Sequence, residues 1–302
     1  MSHNHCHDET HTIRSFNAAF AIAVFVNLSF TLLEFAYGYT ANSVGLLGDA
    51  AHNFGDTFGL LLSWGANWLL LKPAGERYTY GYRRTSILAA IINALLLVAS
   101  SALIGYEAIY HLMHGSQVNE FIIIIVAFIG IFINGGTALL FIKGSHDDLN
   151  IKGAFLHLLS DALISAGVVV AGIAIYFTGY NWIDPVSGLL IITVILWGTW
   201  GLLRDSVGLL LDATPTNIDH RGISDYLSNL PNVVAIHDLH IWSLSTREIA
   251  LTAHIVMPQA HISSVDYKTI NTTLKDTFLV NHATIQVEIE NSDYICIRSE
   301  KC

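Results

Sequence analysis

The chain has 302 residues, 53% of them hydrophobic and 13% charged, with a formal net charge of −10 and a mean hydropathy of +0.51. It is too apolar for an ordinary soluble protein, its apolar residues fall in long blocks, and its acidity argues against nucleic acid as a partner. Three cysteines, Cys6, Cys296 and Cys302, lie near the two ends; an odd, terminal set does not read as a disulfide framework and suits a reducing compartment with thiols free to bind metal.

Residues 1–15 carry His3, His5, Cys6, His7 and His11 among polar neighbours. The tract lacks the cationic start of a secretory signal and reads either as a metal-binding tail or as a disordered terminus. Six apolar segments follow, near 16–38, 44–71, 86–112, 119–142, 153–178 and 186–211. Each is long enough to cross about 30 Å of hydrocarbon at about 1.5 Å per residue. Asp184-Pro185 is expected to open the sixth, with Asp184 as its cap and Pro185 in its first turn.

Lys and Arg fall on one set of connections. Arg14 precedes the first span, Lys72, Arg77, Arg83 and Arg84 follow the second, Lys143 and Lys152 follow the fourth, and Arg204 lies near the end of the sixth. The positive-inside rule then makes both termini cytoplasmic, and six spans return the chain to its starting side, so count and charge bias agree.

From about 213 the pattern changes. Thr216 to Leu230 reads as a helix, Val233 to Leu244 and Glu248 to Met257 as a hairpin, Ser263 to Leu279 as a second helix and Thr284 to Ile289 as a third strand. Simple alternation puts Val234, Ile236, Asp238, His240 and Trp242 on one face of the first strand, with His240 and Trp242 serving packing. The expected fold is therefore an α-helical membrane protein of six transmembrane helices with a C-terminal cytoplasmic αββαβ domain of ferredoxin- or metallochaperone-like type. The divisions are 1–15, a His/Cys-rich tail; 16–212, the membrane domain; 213–292, the αββαβ domain; and 293–302, a cysteine-containing tail.

Two stretches carry the chemistry. His52-Asn53-Phe54-Gly55-Asp56 and His157-Leu158-Leu159-Ser160-Asp161 each read His-x-x-x-Asp, so each aims an imidazole and a carboxylate along one helix face. Two nitrogens and two oxygens converging between helices make a tetrahedral site suited to Zn2+. Asp49, three residues before His52, joins that face as a secondary candidate. The alternative reading is a polar network that pins helix packing; the cost of charge at membrane depth favours an ion site. Asn27, Glu34, Asn93, Glu107 and Asn134 are the other polar residues in spans, expected mostly as interhelical hydrogen-bond partners, with Glu34 alternatively on an entry path or carrying a proton. A rival intramembrane zinc hydrolase would need a motif such as His-Glu-x-x-His, which the chain lacks.

Six spans, His-x-x-x-Asp in the second and fifth, Leu-Leu-Gly-Asp-Ala before the first pair and an αββαβ end together resemble the cation diffusion facilitator family. The resemblance implies a homodimeric metal/proton antiporter, not an enzyme, with one transport site per subunit in the lipid bilayer. His52 resembles the zinc-transporting branch, with Cd2+ or Co2+ less favoured. It further implies a cytoplasmic site, because His237, His254 and Glu288 match positions that bind zinc in related members, whereas Gln286 stands where some have His. His5-Cys6-His7 resembles a tail that reaches the neighbouring subunit, and Cys296 and Cys302 loosely resemble a C-terminal cysteine pair. The expected function is Zn2+ export from the cytoplasm in exchange for H+, in a bacterial inner membrane; a metal-sensing receptor without flux is the alternative.

Overall fold

The computed structural model describes residues 9–142, 149–258 and 264–289. His5, Cys6, His7, the run His146-Asp147-Asp148, His261, Cys296 and Cys302 lie outside the described residues. Six long helices come first: α1 (Glu9–Thr40), α2 (Val44–Leu70), α3 (Thr85–His114), α4 (Glu120–Phe141), α5 (Leu149–Thr178) and α6 (Ile183–Leu210). They coincide with the six expected segments. Among the described residues four pass as membrane spans by length and composition: α3, Glu120–Leu139 of α4, Phe155–Thr178 of α5, and α6. α2 has the length, but Asp49, His52, Asn53 and Asp56 dilute its hydropathy.

The chain divides into two compact units, Met1–Leu61 with Asn93–Trp200, and Leu62–Ile92 with Gly201–Cys302. In the first, α4 packs along α5, and α1 along α4. Phe30, Leu46, Ile123, Val126, Val168 and Ile175 form one buried cluster, and Val44, Ala51, Ile104, Ala108 and Ile192 another. Large apolar side chains such as Leu103, Phe132, Leu163, Val194 and Trp197 remain exposed on the helices, the surface a bilayer would cover.

The expected cap of α6 is not there. Asp184 lies within the first turn of that helix, and its carboxylate instead accepts the Val44 and Gly45 amides of α2. Capping rules are local, and this partner lies 140 residues away in sequence.

In the second unit, α7 (His220–Ser228) precedes strand β1 (Ala235–Ser243), followed by β2 (Ile249–Met257), α8 (Ser264–Asp276) and β3 (His282–Ile289). Asp219 caps α7 by accepting from the Gly222 amide at 2.9 Å. The sheet order is β1-β2-β3, with β1 antiparallel and β3 parallel to β2. Ile223 and Leu227 of α7 and Ile270 and Leu274 of α8 bury themselves against Leu251, Ala253 and Ile255 of β2. The other sheet face carries no helix from this pair and is polar. Arg83, from the connection between α2 and α3, pairs with Glu248 at the hairpin, and the Thr246 amide donates to Ser86 Oγ at 3.1 Å.

The alternation expected for β1 fails at one point. His237 pairs with His254, but the next partners are His240 and Thr252. Two residues, Asp238 and Leu239, therefore oppose one, Ala253, and Asp238 takes φ +51°. This bulge inverts the parity. Ile236 and Ile241 both face the helices, while His237 and His240 both face away. His240 is exposed and bonds Asp238 at 2.9 Å, so it does not serve packing.

The face assignment is testable in β2. Leu251→Ala should destabilise the C-terminal domain by about 3 kcal/mol, and Thr252→Ala on the other face by under about 0.5 kcal/mol. Hydrogen exchange of the β2 amides in the full chain measures both; equal losses would contradict the assignment.

Candidate metal centre

The two His-x-x-x-Asp pairs face each other across α2 and α5. His52 Nδ1 lies 3.3 Å from Asp56 Oδ2 on its own helix, and His52 Nε2 lies 3.2 Å from Asp161 Oδ1 on the other. His157 Nε2 lies 3.4 Å from Asp56 Oδ2 and 3.8 Å from Asp161 Oδ2. Every pair thus reaches across as well as along its helix, as the i,i+4 spacing requires when two such faces meet. Ligand atoms of His52, Asp56 and Asp161 all fall within 4.8 Å of one another. His157 touches both carboxylates from the open side, its side chain 46% exposed against 4% for Asp161.

The atoms approach without bonding one another. His52 Nδ1, Asp56 Oδ2 and Asp161 Oδ1 are buried, yet none has a partner in hydrogen-bond geometry among the described residues. Their close distances and poor mutual angles are what atoms aimed at a common point produce. A divalent cation there would satisfy all three and offset the two carboxylates. Nitrogen and carboxylate donors in this number suit zinc and its neighbours in the transition series.

Asp49 is on the expected helix but outside this cluster. It is fully buried and accepts from Ser165 Oγ at 2.7 Å and from Asn53 Nδ2 at 3.5 Å. Asn53 also donates to Glu34 Oε2 of α1 at 3.2 Å. Glu34 therefore is a buried interhelical partner. Ser165 was not singled out from the sequence, although it lies four residues after Asp161 and hence on the same face.

A second cluster lies on the polar face of the sheet. His237 Nε2 is 3.0 Å and His254 Nδ1 2.9 Å from the Glu288 carboxylate, and the three offer ligand atoms within 4.8 Å of one another. His254 Nδ1 is buried without a hydrogen bond, so the set fits a metal by the same criterion. Gln286 pairs with His254 in register and donates to Glu288 Oε1 at 3.0 Å. It holds the carboxylate from which a ligating His is missing. The bulge adds a residue the sequence did not single out: Asp238 Oδ2 comes within 3.6 Å of His254 Nε2.

Long apolar helices enclosing one nitrogen-and-carboxylate cluster, with a second cluster on a small α+β domain, define a helical membrane protein that handles metal ions. Residues 20–211 match the cation efflux transmembrane domain, and residues 215–290 match the cation efflux protein, cytoplasmic domain. The chain belongs to this cation efflux, or cation diffusion facilitator, family. It is 35% identical over 269 residues to the cation efflux system protein CzcD of Alcaligenes sp. strain CT14, covering 89% of this chain and 85% of that one. It is 34% identical over 293 residues to a cadmium, cobalt and zinc/H(+)-K(+) antiporter of Bacillus velezensis, covering 95% and 92%. With the zinc transporter ZitB of Escherichia coli K12 it shares 32% identity over 294 residues, covering 96% and 93%.

Because both imidazoles approach Asp56 Oδ2, Asp56→Asn should weaken zinc binding at the helical cluster by about 100-fold or more, since even an outer-shell partner is worth about 10–100-fold. Glu288→Gln should leave that affinity unchanged and weaken the sheet cluster alone. Zinc titration of the full chain, wild type against each variant, separates the two; a parallel loss in both variants would mean that the clusters are not independent sites.

Proposed function

We propose that this protein exports Zn2+ from the cytoplasm in exchange for H+, with His52, Asp56, His157 and Asp161 as the transport ligands. The observation that carries the reading is the convergence of both His-x-x-x-Asp pairs on one point between α2 and α5. Zn2+ is the cargo. Two carboxylates and a dication make the loaded cluster nearly neutral, which lowers the cost of holding charge among apolar helices. Removing the ion exposes two carboxylates and two imidazoles to protons, and metal and protons compete for the same lone pairs. Helix rearrangements that open the cluster first to one side and then to the other turn this competition into exchange.

Several features support the finer points. The names of the Escherichia coli and Bacillus velezensis relatives include zinc, and the latter also names H(+). His in the first ligand position favours zinc over harder cations. The Lys and Arg bias supports cytoplasmic termini, and the bacterial relatives support an inner-membrane location. His237, His254 and Glu288 would hold a resident zinc that ties the three strands together, and the αββαβ domain would pair two subunits into a homodimer. In this reading the tails, with His5, Cys6, His7, Cys296 and Cys302, bring further thiol and imidazole donors to the cytoplasmic metal. Asp49 acts on the ligands indirectly, through the packing of α2 against α5.

Purified protein in proteoliposomes tests the exchange. An imposed zinc gradient should drive an opposite proton movement, read with a pH dye inside and a zinc dye outside, and His157→Ala should cut both at least about tenfold. A receptor would show neither movement in the wild type. Cadmium and cobalt in place of zinc set the breadth of the site, and His52→Asp should shift preference toward harder cations such as manganese.

A further inference from the structure

The start of α2 is held by another helix. A helix leaves its first amides without intrahelical partners, and here all three are satisfied in a buried setting. Val44 N donates to Asp184 Oδ2 at 2.7 Å and Gly45 N to Asp184 Oδ1 at 3.3 Å. Leu46 N donates to Ser43 Oγ at 3.2 Å, and that hydroxyl in turn donates to Asp184 Oδ1 at 2.5 Å. Asp184 is 1% exposed, so no water replaces these bonds. A carboxylate at a helix N-terminus also meets the favourable end of the helix dipole.

A second observation is independent of the carboxylate. The two helices approach so closely that a Cβ on Gly188 of α6 would stand 2.7 Å from Val44 Cγ1 and 3.1 Å from the Val44 carbonyl. A Cβ on Gly45 would stand 2.8 Å from Ser187 Oγ. Sliding or separating this pair would break three charge-assisted hydrogen bonds and open a tightly filled contact. Thirteen residues, from Val44 to the end of the first motif at Asp56, form about 20 Å of helix. A helix pivoting at its start therefore turns a small tilt into an opening of ångström size at the level of His52 and Asp56.

We propose that Asp184 is a positioning residue for transport: it fixes the N-terminus of α2 to α6 as a junction that stays closed while the level of His52 and Asp56 opens and shuts. The proposal rests on the transport reading above. In the proposed orientation the junction lies at the side of the membrane away from the cytoplasm. Asp184 touches no cargo. It sets where α2 pivots as the level of His52 and Asp56 opens and shuts.

The test uses the full chain with Cys6, Cys296 and Cys302 changed to Ser, in proteoliposomes. A Gly48→Cys/Ile191→Cys pair one turn further along the same contact, where a Cβ on Gly48 stands 3.9 Å from Ile191 Cβ, should form a disulfide readily, and several-fold more slowly once Asp184→Ala is added; an unchanged rate overturns the proposal, and this arm needs no flux. Oxidised protein should transport zinc within about twofold of the reduced protein, whereas flux lost on oxidation and restored by reduction would overturn a junction that stays closed. Asp184→Ala should lower maximal flux about tenfold, the scale of a lost helix cap, with the half-saturating zinc concentration and equilibrium zinc affinity unchanged. Asp184→Asn, which keeps one acceptor, should recover part of that flux. Equal flux in Asp184→Ala and wild type, or zinc affinity falling in step with flux, would refute the positioning role. Absence of flux in the unmodified protein would defeat the transport reading instead, with the cross-linking rates still reporting on the junction.

Discussion

Two aspartates among apolar helices are the constraint from which the rest of this structure follows. An isolated carboxylate in such a place is costly, and Asp56 and Asp161 cannot both remain charged without compensation. The chain answers by crossing its pairs: His52 of α2 approaches Asp161 of α5, and His157 of α5 approaches Asp56 of α2. Imidazoles alone leave the compensation incomplete, because three buried atoms of the cluster keep an unused lone pair or proton. A cation would complete it. In the proposed exchange the same incompleteness would make binding reversible, since a site fully satisfied by its own side chains would have no reason to take an ion up.

A second ring of polar groups lies beside the first. Ser165 on Asp49, and Asn53 on both Asp49 and Glu34, close hydrogen bonds among α1, α2 and α5 in a buried setting. Buried networks of this kind specify one arrangement when their donors find acceptors. Glu34 and Asp49 are both acidic and both buried, so the network is itself close to its electrostatic limit, and the single Asn53 amide is what bridges them. The second ring is not complete either, since Glu34 Oε1 is buried without a hydrogen bond among the described residues; the two rings differ in composition, imidazoles and carboxylates in one, an amide, a hydroxyl and carboxylates in the other.

Much of this was legible in the chain because it follows from regular periodicity. Six apolar runs give six helices, and His52/Asp56 and His157/Asp161 share faces because four residues nearly complete one helical turn. The αββαβ order followed from β-branched alternation and turn residues, and β2 lies where its Ile-x-Leu-x-Ala-x-Ile pattern puts it. The misses are departures from periodicity. Asp238 takes a left-handed backbone conformation at one position and thereby moves His240 to the other face; no composition signal announces a single bulge. Asp184 looked like a local cap because Asp before Pro usually is one, yet the tertiary fold offered it the amides of another helix. Ser165 carried a usable signal, one turn beyond Asp161, but a serine in a helix most often bonds its own backbone.

α2 is the helix on which the buried interhelical contacts described above for the first unit converge. It receives Asp184 from α6, Ser165 and the second ligand pair from α5, and Glu34 from α1. Those contacts are unequal in what it takes to break them. At Val44 the amides bind a buried carboxylate, and at Asp49 a hydroxyl does so at 2.7 Å, so opening either level strands a buried charge. At His52, Asp56 and Asp161 the groups approach at 3.2–3.4 Å without hydrogen-bond geometry, so that level rests on charge pairing alone. A helix fastened by hydrogen bonds at its start and by charge pairing at His52 and Asp56 has its weaker level at the second of these. In the proposed exchange that level would be the one to open, and a bound cation would supply the bonds that the side chains lack.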